Sequence, residues 1–99
     1  MLHIVNKSPT QTRSLESCLR MVMPEHAVLL IEDGVYAAIA GTPLETKVRA
    51  ASINVKFFAL KPDLDARGVT ARVLDCVTLV DYSGFVDLVA EHGTPNSWL

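Results

Sequence analysis

Five consecutive apolar residues, Ala27-Val28-Leu29-Leu30-Ile31, lie between Pro24-Glu25-His26 and Glu32-Asp33-Gly34. A run this short, bounded by turn-formers, reads as a strand covered on both faces. Similar short runs recur at Leu2–Val5, Val55–Leu60 and Val77–Val80, the last with an alternative start near Val73. Between them the apolar spacing changes to that of helices. Over residues 13–22, Leu15, Leu19 and Val22 recur at i, i+4 and i+7, and Pro24 blocks continuation.

The intervening segments carry their own start and stop signals. Asp33 is a candidate N-cap for a helix over 35–40, with Gly41 in the stop position. Thr42-Pro43-Leu44-Glu45 has the pattern of a capping box with proline at the first helical position. Leu44, Val48 and Ala51 then line one face of the helix that follows. Residues 62–67 form a short helix stopped by Gly68, and a last helix over 83–92 turns Phe85, Leu88 and Val89 inward before Gly93 and Pro95 end it. Strand–helix alternation of this kind predicts an α/β, three-layer domain over residues 1–99. Its mostly parallel flavodoxin- or Rossmann-like sheet has four or five strands and helices on both faces. A strand order near 2-1-3-4 is the default expectation.

Composition narrows the function classes. Ninety-nine residues fit one domain, and 49% are apolar, at the top of the usual range. The surplus beyond a small core predicts a subunit interface. Nine basic residues against eleven acidic ones, net −2, with no basic stripe, argue against direct binding of nucleic acid. No apolar stretch approaches the ~20 residues that span a bilayer, and Lys7 and Arg13 flank no signal-peptide core. The expectation is a cytoplasmic protein with no membrane partner.

Cofactor and metal sites have no sequence support. The turn after the first strand, Asn6-Lys7-Ser8-Pro9, has no glycine for a dinucleotide site or P-loop, and no acidic residues for a phospho-acceptor. No G-x-S-x-G elbow is present. Cys18 and Cys76 lie far apart, without a second cysteine or histidine at zinc-ligand spacing. His3, His26 and His92 are not spaced as metal or triad partners, and each reads as structural or superficial.

Two candidates for chemistry remain. The carboxyl ends of the strands, where such sheets build their sites, carry Lys7, Asp33, Lys61 and Asp81. These residues could converge on one rim, or simply cap helices and face solvent. The other candidate is thiol chemistry. Cys76 lies in or beside a strand and reads as a small hydrophobe. Cys18 falls about 60–70° from the middle of the first helix's apolar stripe at roughly 100° per residue, on its border. Periodicity leaves it between a packed thiol and a reactive one, whose thiolate Lys7, Arg20 or a partner subunit would have to favour.

Several stretches, taken together, resemble the DsrH/TusB family of sulfur-relay proteins. They are Leu2-His3-Ile4-Val5-Asn6-Lys7-Ser8-Pro9, Ser14-Leu15-Glu16-Ser17-Cys18-Leu19, Glu32-Asp33-Gly34-Val35-Tyr36-Ala37-Ala38, Asp63-Leu64-Asp65-Ala66-Arg67-Gly68, Val80-Asp81-Tyr82-Ser83-Gly84-Phe85-Val86-Asp87-Leu88 and Ser97-Trp98-Leu99. The resemblance covers nearly the whole chain. It implies a subunit of a hetero-hexamer with DsrE/TusD-like and DsrF/TusC-like sister chains, passing persulfide sulfur to a DsrC/TusE-like acceptor. In that family the principal acceptor cysteine belongs to the DsrE/TusD chain. Cys18 matches the first-helix cysteine of DsrH-like members, which TusB-like members often lack. The resemblance therefore implies an auxiliary persulfide site at Cys18 and leans toward sulfur oxidation. The alternative it leaves open is a TusB-like, non-catalytic subunit for 2-thiolation of the tRNA wobble uridine.

Overall fold

The computed structural model describes residues 1–98. Five strands, β1 (Leu2–Val5), β2 (Ala27–Leu30), β3 (Lys56–Leu60), β4 (Val77–Val80) and β5 (Asn96–Trp98), form one sheet in the order β4-β3-β2-β1-β5. Every neighbouring pair is parallel. The α/β class and the parallel sheet agree with the sequence reading; the strand order does not. The chain adds β2, β3 and β4 stepwise in one direction from β1, then returns across the sheet to place β5 on β1's other side. An apolar run marks a buried strand but carries no mark of its neighbours, so a default order was all that the pattern could supply.

The order of the strands sets the layers. Right-handed crossovers taken repeatedly in one direction all fall on the same face, and a step in the reverse direction falls on the other. Accordingly α1 (Ser14–Met21), α2 (Glu45–Ala51) and α3 (Lys61–Ala66) serve one face, with a 3-10 helix over Glu32–Ala38. Here Leu15, Cys18, Val35, Val48 and Leu64 meet Val5, Val28, Leu30, Phe57, Ala59 and Val77 of the strands. The other face has α4 (Tyr82–His92) alone, whose Leu88, with Phe85 and Val89, covers Leu2, Ile4, Ala27 and Leu29. Alternate residues of β1 and β2 go to opposite clusters, and all eight positions are buried. That is why Ala27–Ile31 shows no polar interruption.

Local signals were met with shifts. Asp81 caps α4, its Oδ1 accepting from the Gly84 N–H at 2.8 Å. The segment after β2 forms a 3-10 helix over Glu32–Ala38, not an α-helix over 35–40, and Asp33 does not cap it. The capping box is half made and displaced. α2 starts at Glu45, whose Oε1 accepts from the Gly41 N–H at 2.8 Å, while the buried Thr42 Oγ1 makes no hydrogen bond among the described residues. β5 had no sequence signal, because Asn96 and Ser97 interrupt any apolar pattern.

Gly34 shows why the first turn of that 3-10 helix is built as it is. The helix sits directly on the end of β1, and a Cβ at position 34 would lie 2.1 Å from the Val5 carbonyl oxygen. That oxygen is already fixed, accepting the Ile31 N–H at 3.1 Å. Backbone cannot rotate aside as a side chain can. We expect Gly34→Ala to cost about 2–3 kcal/mol through overpacking, lowering the thermal midpoint by roughly 10–20 °C. A midpoint within a degree or two of the parent's (about 1–2 °C) would show that the helix can lift off β1 freely.

Candidate functional site

The rim at the carboxyl ends of the strands does not gather its charged residues into one site. Asp33 Oδ1 accepts from both Nε and Nη2 of Arg67, at 3.1 and 2.9 Å. Arg67 also donates to the Asp63 carbonyl at 3.0 Å and lies 6.0 Å from the Tyr36 ring centroid, within reach of its negative face. Asp63 Oδ2 accepts the Glu32 N–H at 2.7 Å. These bonds tie α3 to the 3-10 helix, with Arg67 as the hub. The sequence reading passed over Arg67, although its place ahead of Gly68 in a helix next to the rim was visible. Lys61 pairs with Asp65 along α3 at 2.8 Å, Asp81 is occupied as a cap, and Lys7 is exposed.

Cys18 is wholly buried rather than on the border of the apolar face. It is 0% exposed, beneath α1 and among Leu15 and the strand residues of the larger cluster. The half-buried Leu19 and Val22 cover positions that the stripe placed at its centre, so the helix is rotated with Cys18 further in. Desolvation pushes the thiol up to about 12. The buried environment therefore favours the neutral thiol over the thiolate that sulfur chemistry requires. Arg20 is exposed and lines a separate groove of about 350 Å³ between α1 and α2, with Glu16, Leu19, Lys47, Ala50 and Ala51. Cys18 does not open into that groove. Cys76 is partly exposed at the margin of the same core.

Two of the histidines, His3 and His26, take a structural role in one hydrogen-bonded chain. Trp98 Nε1 donates to His3 Nδ1 at 3.1 Å, and His3 Nε2 lies 3.0 Å from His26 Nδ1. His26 Nδ1 also accepts the Met23 N–H at 3.2 Å. His3 is 2% exposed, so its ring would be costly without partners. That was the available signal: a histidine inside an otherwise apolar strand needs polar company, but its partners lie 23 and 95 residues away. Among the described residues no group of three or more His, Cys, Asp or Glu is placed to hold a metal. Among the described residues no helix is long and apolar enough to cross a membrane.

Burial of Cys18 has a direct consequence for labelling. In the folded chain at pH 8, iodoacetamide should modify Cys76 and leave Cys18 untouched until denaturant is added, as peptide mass mapping would reveal. Equal labelling of both thiols under native conditions would show that α1 opens readily.

The wider comparisons agree with the fold and define the family. A family model described as DsrH-like protein matches residues 7–94. Proteins named TusB from Pectobacterium parmentieri and Escherichia coli K12 are each 37% identical over 98 residues, covering 99% of this chain and all of theirs. Among solved structures, the ychN protein from E. coli superposes with a TM-score of 0.75 at 19% identity, over 97% of both chains. A protein of unknown function from Methanobacterium thermoautotrophicum gives 0.76 at 19% identity, over 97% of this chain and 95% of that one. At that identity the two structures speak for the fold alone. The full-length identity and the family match place this chain in the DsrH/TusB family.

Proposed function

We propose that this chain is a cytoplasmic subunit of a sulfur-relay complex, assembled with DsrE/TusD-like and DsrF/TusC-like sister chains. Its role is to organise the assembly while thiols of the sister chains carry persulfide sulfur to a DsrC/TusE-like acceptor. The observation that carries this reading is the sealing of Cys18: the thiol is wholly buried, out of reach of a donor persulfide, and burial pushes it up to about 12, against the thiolate. Identity to TusB proteins along the full length favours the tRNA-thiolation branch over sulfur oxidation, the branch toward which a first-helix cysteine leaned.

The surface supports the assembly role. Tyr82 and Val86 on α4 are 62% and 65% exposed and border a hollow of about 390 Å³ with Ile31, Leu60 and Phe85. Ile53, Met21 and Met23 are exposed elsewhere. The Tyr82–Val86 face and the hollow beside it offer an apolar contact surface for another chain.

An auxiliary persulfide site at Cys18 belongs to the proposal only for a state in which α1 lifts away from the sheet. The discriminating substitution is Cys18→Ala, because serine would bury an unpaired hydroxyl and confuse loss of chemistry with loss of stability. The expected cost is about 1 kcal/mol in the isolated chain. Co-purification with the sister chains and the rate of sulfur delivery to the acceptor should both stay unchanged. Loss of delivery from an intact Cys18→Ala complex would return the thiol to the relay.

A further inference from the structure

We propose that β5 is a pH-sensitive latch, held on the edge of β1 by the chain of hydrogen bonds Trp98–His3–His26 and released when either imidazole takes up a proton. Which atoms can donate fixes the arrangement of protons. The indole Nε1–H and the Met23 N–H are donors only. His3 Nδ1 must therefore accept from Trp98, which leaves the proton of the neutral ring on Nε2. That proton points at His26 Nδ1, which also accepts from Met23 and so must be bare. One proton arrangement satisfies every bond, and in it both rings are neutral.

An added proton has no harmless place. On His3 Nδ1 it faces the indole N–H. On His26 Nδ1 it faces the Met23 N–H and the His3 Nε2–H. If His3 changes tautomer to accept from His26, its proton moves to Nδ1 and again meets Trp98. Each case sets two N–H groups against each other in a site where His3 is 2% exposed.

The surroundings do not relieve the charge. Burial, the neighbouring His26 ring and the Met1 ammonium hold His3 below its ordinary value of 6.5. Burial, the Met1 ammonium and His92 at the end of α4 do the same for His26. Glu25, Lys56, Glu91 and His92 line a hollow with Phe58 and Leu88 of the α4 face. On the α1 side, Glu16 is turned toward Lys47 of α2 at 3.7 Å. Among the described residues neither ring forms an ion pair with a carboxylate, and Asn96, Ser97 and Trp98 bring no charge on β5.

β5 is short enough for this to matter. Three residues pair with β1, in the register His3↔Asn96, Ile4↔Ser97 and Val5↔Trp98. Asn96 and Ser97 are exposed and Trp98 only partly buried, so Trp98 supplies its anchor. Because both imidazoles are held below their unfolded value, the bonds they make contribute fully above about pH 6.5 and are lost as pH falls through the folded values.

The test uses a built-in reporter, since Trp98 is the one tryptophan of the chain. Emission wavelength and acrylamide quenching of the full chain would be followed from about pH 7.5 to about pH 5, beside far-UV circular dichroism and amide exchange of residues 93–99. The expected result is a red shift, roughly a twofold rise in quenching and roughly tenfold faster exchange in that segment, all before helix signal is lost. The variant carrying both His3→Gln and His26→Asn keeps neutral donors and acceptors at the same points and should be flat over this range. If it fails to fold, His26→Asn alone, at the more exposed ring, should make the transition shallower by removing one titrating group. Constant Trp98 signals in the parent, a change coincident with global unfolding, or an unaltered transition in the variants would each overturn the latch.

Discussion

A parallel strand pair can be closed only by a chain segment that crosses a face of the sheet, and the hand of that crossing is fixed. Here three crossovers are made in one direction and one in reverse. One face of the sheet consequently receives α1, α2, α3 and the 3-10 helix, and the other receives α4 alone. Most of what distinguishes the molecule follows from that asymmetry. The crowded face brings the 3-10 helix so close to β1 that only glycine fits at position 34. It also turns Cys18 into the thick layer rather than toward solvent. The reverse crossover leaves β5 as a late, three-residue addition on β1, dependent on side-chain bonds for its hold.

The parts legible in the sequence were those whose cause is local. Ala27–Leu30 had to be apolar throughout because both faces are covered, and the pattern said so. Asp81 could cap α4 from its own neighbourhood, and does. What was not legible depends on distant partners. Asp33 looked like a cap and instead serves Arg67, 34 positions away, because the fold sets α3 beside the 3-10 helix. Cys18 looked like a border residue because a stripe drawn from Leu15, Leu19 and Val22 assumes the helix presents its middle to the sheet. The real docking angle depends on neighbours that periodicity does not know. β5 and the Trp98–His3–His26 chain join the two ends of the sequence, so no window short enough to show a period could contain them.

The same geometry shapes the chemistry. A sulfur relay needs thiols that ionise near neutrality, reach a surface and meet a partner thiol in line. In this conformation Cys18 neither reaches a surface nor favours the thiolate, and the rim residues do not gather into a binding site: Asp33 ties α3 to the 3-10 helix, Lys61 pairs within α3, Asp81 caps α4 and Lys7 is exposed. What the chain does offer is a rigid parallel sheet with apolar surface to spare along α4. The proposed role follows from this: a chain that keeps the fold while sealing its cysteine would hold sister subunits in register, with the transfer chemistry supplied by them.

Where sulfur resides decides between these roles. The direct measurement is intact-subunit mass spectrometry of the assembled complex after brief exposure to a persulfide donor, with each chain resolved separately. The expected result is a gain of one sulfur atom on a sister chain and none on Cys18. A gain on Cys18 at a rate comparable to that of the sister chain would contradict it.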